Sequence, residues 1–342
     1  MFTLGHFQRE YTPVRYCLWI TFFGGLAGSV CLATAQTTST GSGQTYPSRS
    51  VRVIVPYAPG GGSDILGRLL AAKISDDFGQ QFVIDNRAGG NATIGTQMLA
   101  RAAPDGYTLG VLDTALTINP GLFAKLPYDA LKDFMPITLI ATSPLVLVVH
   151  PSVPVKTTKE LIALAKARPG QLTFSSGGAG TGTHLSTELF KSVTGMDVIH
   201  VPYKGAGPAM TAMLSGEVGM NFSLPASIPP HIRAGRARAL AITGANRFPG
   251  LPEVPTLTET GVTGVNADPW WGMFAPAGTP QPIVSRLHEV FVKHITAPDM
   301  SKRLIDMAFV TVANTPAEFG AYLRADVMKW GKVIKEAGVQ VQ

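Results

Sequence analysis

Cysteine is almost missing from this sequence: of 342 residues only Cys17 and Cys31 carry a thiol, and both lie near the start. The rest of the chain therefore offers no disulfide, no thiolate metal site and no cysteine nucleophile. Charge is sparse too. Asp, Glu, Lys and Arg make up 15% of the residues, and the formal net charge is +6. The densest basic run, Arg233-Ala234-Gly235-Arg236-Ala237-Arg238, is short and sits where a helix should end, so it suits the carbonyl end of a helix dipole. Clustered aromatics do not interleave with clustered Lys and Arg, which argues against nucleic acid as a partner. A mild positive field still favours encounter with small anions.

Motifs for chemistry are scarce as well. The histidines His6, His150, His184, His200, His231, His288 and His294 form no H-E-x-x-H or other compact ligand spacing, so no metal is expected. There is no G-x-S-x-G elbow, and no S-x-x-K followed by its partner motifs. Gly178 and Gly180 fit the start of a dinucleotide fingerprint, but Thr183 stands at its third position, and no cofactor is expected.

Long hydrophobic runs are confined to the first 35 residues. There Arg9 and Arg15 precede the apolar stretch CLWITFFGGLAGSVCLA, and Ala33-Thr34-Ala35 follows. This is the order of a secretory signal peptide with an A-x-A cleavage site. A retained membrane anchor is the alternative, but Gly24, Gly25 and Gly28 dilute the stretch. A lipoprotein site fits poorly because Val30 precedes Cys31. Cleavage after Ala35 is expected, giving a periplasmic protein that must rest on its hydrophobic core. With 45% hydrophobic residues, the remaining length can bury one or two cores. Residues 36–47 (QTTSTGSGQTYP) read as a flexible leader.

Beyond the leader, apolar runs alternate with amphipathic ones. Strands are expected over 51–56, 82–85, 107–112, 144–149, 172–175, 198–202, 218–223, 239–243 and 271–275. Helices are expected over 64–78, 92–102, 158–168, 183–193, 206–215, 226–234, 281–296 and 316–337. Alternation of this kind points to an α/β protein with largely parallel sheets.

Glycine-rich loops stand at several strand-to-helix junctions. VRVIVPYAPGGGSDILGRLL (51–70) places Gly60, Gly61 and Gly62 between a strand and a helix, and LTFSSGGAGTGTHLSTELF (172–190) repeats the arrangement. Glycine lets the backbone approach another molecule closely, and the first N–H groups of a helix lack internal partners, so each junction is a candidate anion site. A tight turn that binds nothing is the plain alternative. Ser175, Ser176, Thr181 and Thr183 add hydroxyl donors to the second loop. His184 opens the helix there and is suited to a ligand contact or to a local hydrogen bond. Asp64 is more suited to capping its helix than to meeting a ligand. Tyr203-Lys204-Gly205 makes a third junction. Of Trp270 and Trp271, adjacent in a strand, one should face a cleft and the other the core.

Taken together, these stretches resemble the Bug-type receptors, the solute-binding proteins of tripartite tricarboxylate transporters. The resemblance runs from about residue 47 to the end. It rests on Pro56-Tyr57-Ala58-Pro59-Gly60-Gly61, Asn86-Arg87-Ala88-Gly89, Ala103-Pro104-Asp105-Gly106-Tyr107-Thr108 and Ile118-Asn119-Pro120. Leu126-Pro127-Tyr128-Asp129, His200-Val201-Pro202-Tyr203-Lys204-Gly205 and Gly272-Met273-Phe274-Ala275-Pro276-Ala277-Gly278-Thr279-Pro280 extend it.

The resemblance implies a two-lobed, type II-like periplasmic binding-protein fold, with hinge-connected parallel or mixed sheets and flanking helices. It divides the chain into a discontinuous first lobe, 48–143 with 268–342, and a second lobe, 144–267. It implies a ligand carboxylate (dicarboxylate, tricarboxylate, acidic amino acid or aromatic acid) held between Tyr57, Pro59, Gly60, Gly61, Ser63 and Asp64 on one side and Ser176, Gly178, Thr181, Thr183 and His184 on the other. Asp113, Tyr203, Pro225 and Trp271 complete the expected ligand-binding set. The implied partners are a small carboxylate and membrane permease subunits, with the receptor a monomer and not an enzyme. Two other functions fit the same two-lobe fold: an exported enzyme using His184 or Asp64 as acid or base, and a ligand-dependent signalling partner.

Three departures from the family pattern bear on the ligand. A loop usually richer in glycine keeps its length but carries the larger Asn91 and Ala92, so a different pocket wall is expected. Asp113-Thr114 stands where neutral residues are more usual, so Asp113 is expected either to face a ligand amine or hydroxyl or to cap a turn. Leu224 after a strand favours a ligand with an apolar body.

Overall fold

Two β-sheets organise the chain, and the order in which it visits them positions the site. A computed structural model describes residues 46–339. The expected signal peptide and residues 36–45 of the expected leader lie outside the described residues.

The chain opens with β1 (Val51–Val55), α1 (Gly62–Phe78), β2 (Phe82–Asn86), α2 (Thr93–Ala100), β3 (Thr108–Asp113), α3 (Ala115–Leu122) and β4 (Phe134–Thr142). It crosses to β5 (Val146–Val149), α4 (Thr158–Ala167), β6 (Thr173–Ser176), α5 (Gly182–Thr194), β7 (Ile199–Pro202), α6 (Ala206–Ser215), β8 (Met220–Ser223), α7 (Pro229–Arg233) and β9 (Arg238–Ile242). It returns through β10 (Trp270–Pro276), α8 (Gln281–Ile295), α9 (Pro298–Asp306), β11 (Val310–Thr311) and α10 (Pro316–Ala337).

The first sheet has the order β11-β4-β10-β3-β1-β2, and the second β7-β6-β8-β5-β9. Pairing is parallel where βα units repeat: β1 with β2 and β3, and β6 with β7 and β8. It is antiparallel where the chain crosses or returns: β10 with β3 and β4, β11 with β4, and β5 with β8 and β9. The sheets are thus mixed rather than largely parallel.

Local sequence explains most elements. Leu66, Leu70 and Ile74 bury one face of α1, and Gly79 closes it in the left-handed conformation. A capping box between Thr315 and Glu318, followed by Pro316, starts α10. Strand β4 escapes a sequence reading because Pro136 interrupts it. The proline sits opposite Phe274 beside a register shift, where a missing N–H is tolerated. Helix α3 carries Pro120 within it, so Asn119-Pro120-Gly121 reads as a turn. Helix α9 and strand β11 are also additional to the expected elements, and α7 is shorter than the expected 226–234.

Tyr46 and Pro47, at the end of the expected leader, are packed. Pro47 is buried, and Tyr46 donates to the Gly106 carbonyl at 2.7 Å with its ring edge-on to Phe78 and Tyr107.

Helix α10 ties the two sheets together. Phe319 and Leu323 pack with Trp270 and Phe274, while Trp330, Val333 and Ile334 pack with Leu145, Leu147 and Phe174 beside the second sheet. Each fully buried large side chain contributes about 1.5–3 kcal/mol. Among the described residues, no helix is long and apolar enough to cross a membrane.

Candidate functional site

The parallel strands β1, β3, β6 and β7 each run into a loop and then a helix, and the four helix starts converge. Gly61 caps α1, Thr114 α3, Thr181 α5 and Gly205 α6, and all four line one cavity of about 680 Å³. None of the four makes a side-chain capping bond. The positive ends of several helix dipoles therefore face one space, at the carboxyl ends of parallel strands from both sheets.

Each glycine of the first loop has its own reason. Gly60 has φ +95°, which disfavours a side chain. A Cβ on Gly62 would stand 2.8 Å from the Trp271 ring, whereas one on Gly61 would meet open space. Only Gly61 of the three lines the cavity. The second loop uses positive φ at Gly178 and Gly180 (+136° and +74°) to bring Thr181 and Thr183 to the cavity. Thr181 Oγ1 donates to the Gly178 carbonyl at 2.8 Å, and Thr183 Oγ1 accepts from Gly177 N–H at 3.3 Å.

Of the fifteen residues expected at the site, the structure brings Tyr57, Gly61, Asp113, Thr181, Thr183 and Trp271 to the cavity wall. Pro59 and Gly60 stay in the loop behind Gly61. Ser63, 2% exposed, carries a hydroxyl in the first turn of α1 with no hydrogen-bond partner among the described residues.

Asp64 is committed locally, as capping chemistry suggests. Its carboxylate accepts from Gly60 N–H at 2.9 Å, from Arg68 Nε and from Asn86 Nδ2. Burial pushes its pKa up, but these donors outweigh burial and hold it below the ordinary value.

His184 is buried beneath the second loop. Its Nδ1 accepts from Gly180 N–H at 3.0 Å, and its ring stacks on His200 with centroids 3.7 Å apart. Burial, then His200 and Lys191, lower its pKa to about 3. Ser176 bonds His200 Nε2 and the Gly178 carbonyl. Gly178 supplies the bend, and Tyr203 points its hydroxyl to Glu217 at 2.7 Å. Pro225 is buried, and its neighbour Leu224 faces the cavity instead. These residues shape the loops from outside the cavity wall. Asp64 and His184, the acid or base of the enzyme alternative, are both held away from it.

Asp113 caps a turn, and it lines the cavity as well. Its Oδ1 accepts from the Ala115 N–H at 3.0 Å, a turn-capping bond, and from Tyr57 Oη at 2.8 Å, while the residue lines the cavity. Burial pushes its carboxyl up to about 6 and raises the Tyr57 phenol well above its usual value.

Both tryptophans border the cavity, because β10 begins at its edge. Trp270 is fully buried against Phe274 and Phe319, and Trp271 packs against Phe309 and Gly62.

Several wall residues carry no sequence signal for a site. Leu145 and Ile118 look like ordinary core, and Trp330 lies on the apolar stripe of α10. Asn91 is different, since its departure from the family pattern marked it. It has φ +51°, lines the cavity, and exchanges side-chain and backbone hydrogen bonds with buried Asn119, which Tyr128 also contacts. This contact links the loop that departs from the family pattern to Ile118-Asn119-Pro120 and Leu126–Asp129, two of the motifs that carry the resemblance. Among the described residues no cluster of His, Cys, Asp and Glu could hold a metal ion.

Helix starts from two sheets, gathered over one cavity, define a two-lobed solute-binding protein. Residues 66–339 match the family described as the tripartite tricarboxylate transporter family receptor, and the chain belongs to that family. It is 36% identical over 320 residues to the protein BugT of Bordetella pertussis, covering 92% of this chain and 97% of BugT. Among solved structures, it is similar to Rpa4515 of R. palustris with adipate (34% identity, TM-score 0.74, 86% of this chain and 100% of that one). It is also similar to MatC of Rhodopseudomonas palustris with bound malate (31% identity, TM-score 0.70, 84% and 100%). The family is one of periplasmic solute receptors of tripartite tricarboxylate transporters, not of enzymes.

Proposed function

We propose that this chain is exported, captures one small carboxylate in the cavity between its sheets, and presents it as a monomer to the membrane permease of a tripartite transporter. The two lobes, 48–143 with 268–342 and 144–267, close on the ligand. One observation carries the reading: the starts of α1 and α5, from different sheets and without side-chain caps, face one cavity whose lining among the described residues holds no Lys, Arg or His. Free N–H groups, with Thr181 and Thr183, offer a carboxylate several charge-assisted bonds. Adipate and malate in similar proteins support a carboxylate as the ligand class.

The magnitudes are consistent. Each helix terminus contributes about 0.3–1 kcal/mol, while micromolar binding needs about 8 kcal/mol. Direct hydrogen bonds and contact with Trp271, Leu224 and Trp330 must supply the rest.

The test is a thermal-shift screen of the refolded protein against aliphatic dicarboxylates, tricarboxylates, acidic amino acids and aromatic acids. A ligand at a hundred times its Kd adds about 2.7 kcal/mol of stability. The reading expects at least one acid to stabilise the protein and to be recovered unaltered after long incubation. Silence across the panel, or steady conversion of the acid, overturns it. Deleting the gene is expected to abolish uptake of the same acid; unchanged uptake overturns the transport role.

A further inference from the structure

The cavity is charged on one side only. Asp113 is the one acidic side chain among its lining residues, and no cationic side chain faces it there. Most of the remaining wall is apolar or glycine: Ile118, Leu145, Leu224, Trp271 and Trp330 among them.

The Asp113 carboxyl is held through one of its two oxygens. Tyr57 Oη and the Ala115 N–H both donate to Oδ1, at 2.8 and 3.0 Å. These two bonds set the side chain's rotation at the end of β3. No other residue among those described donates to Oδ2; the remaining donor near the carboxylate is Asp113's own backbone N–H. An ionised oxygen in an apolar cavity is costly unless a donor reaches it. Burial supports the same point, since a carboxyl pushed up to about 6 is still ionised at neutral pH yet poorly stabilised.

A ligand complementary to this cavity has two unlike ends. Its carboxylate belongs with the free N–H groups of α1 and α5. Its far end must bring a donor to Asp113, and its body must cover tryptophan and leucine side chains. A second ionised carboxylate at that end would face Asp113 without an intervening cation, and like charges repel in a low-dielectric site.

We propose that Asp113 selects the far end of the ligand: it accepts a hydrogen bond from a hydroxyl or ammonium group on an apolar-bodied carboxylate, and it disfavours a fully ionised dicarboxylate. The proposal rests on the carboxylate-receptor reading above. It assigns the ligand to hydroxy- or amino-carboxylic acids, a narrower class than carboxylates at large.

Calorimetric titration at neutral pH with two matched series tests it. One series is benzoate, para-hydroxybenzoate and terephthalate; the other is caproate, ε-aminocaproate and adipate. In at least one series the hydroxy or amino acid is expected to bind at least tenfold more tightly than both the unsubstituted acid and the diacid. Asp113→Asn is expected to reduce that preference at least tenfold and to raise the affinity for the diacid. A diacid that binds the unmodified protein as tightly as the hydroxy or amino acid overturns the proposal and leaves the carboxylate receptor standing. So does an Asp113→Asn protein with the same ranking. If no acid of either series binds the folded protein, the proposal falls, and the receptor reading falls with it only if the wider panel of carboxylates is silent too. The ranking in the unmodified protein needs no variant, so a poorly folding Asp113→Asn would not shelter the idea.

Discussion

Trp270 and Trp330 donate their indole N–H groups to the same oxygen, Asp326 Oδ2, at 2.9 and 3.2 Å. Thr117 Oγ1 donates to that oxygen at 2.6 Å, and Lys329 pairs with Oδ1. One carboxylate, 3% exposed, therefore joins β10, α3 and the middle of α10, directly behind the cavity wall. Removing one partner from such a buried network leaves the others unpaired, at a cost of about 3–5 kcal/mol. Asp326→Ala is expected to lose that much stability in urea unfolding. A loss under about 1 kcal/mol would show that the network is incidental.

Glycines 61 and 62 separate packing from binding. Gly62→Ala drives a methyl group to 2.8 Å from the Trp271 ring. Overpacking of this kind costs about 1–3 kcal/mol and displaces the ring, so the melting temperature should fall and tryptophan emission should change without ligand. Gly61→Ala meets nothing within 4 Å. It should keep the melting temperature and instead weaken binding, because the added methyl lies at the cavity wall. Equal melting temperatures for the two variants would contradict the account.

Asp113 gives stability a pH signature. Burial raises its carboxyl from 3.8 to about 6, so the folded state holds the proton more tightly than the unfolded chain. As pH rises between these values the unfolded state loses its proton first, and stability falls; above about 6 the full penalty stands. Asparagine keeps an oxygen for Tyr57 and Ala115 and carries no penalty. Asp113→Asn without ligand should thus exceed the unmodified protein by about 2–3 kcal/mol above pH ~7 and converge with it near pH ~4. Denaturant titrations across this range would show the gap. A gap independent of pH would contradict the assignment.

His184 acts in the opposite sense. Burial, His200 and Lys191 lower its pKa from 6.5 to about 3, so below 6.5 the unfolded chain binds a proton that the folded state refuses. This group's contribution to stability falls as pH falls, by about 1.4 kcal/mol per pH unit. His184→Asn retains an acceptor for Gly180 N–H and removes the titration. Its stability deficit at neutral pH should narrow steadily on acidification to about pH 4. A deficit that widens would mean that the ring is charged in the folded state.

How far the sequence reveals this molecule depends on where the information resides. The junctions at Gly60–Gly62 and Gly177–Gly182 are legible because free helix N–H groups and φ > 0 leave a local mark. Asp113 stands at a strand end and Thr181 and Thr183 at a helix start, while Tyr57 is marked for the site by the family resemblance. Ser176, His184 and Tyr203 stand beside the same loops yet turn to His200, Gly180 and Glu217, a matter of rotamer and neighbours that no spacing encodes. Leu145 and Trp330 reach the wall only because the two sheets meet there, so they are indistinguishable from core in the chain. Pro136 hid β4 and Pro120 hid α3, since local propensity argued against elements that tertiary pairing imposes.

The central claim is that helix N-termini hold a carboxylate in this cavity. Calorimetric titration of the refolded protein with the strongest-binding acid and with its primary amide tests this most directly. The account predicts one site per chain and an amide weaker by at least tenfold. An amide that binds as tightly as the acid would contradict it.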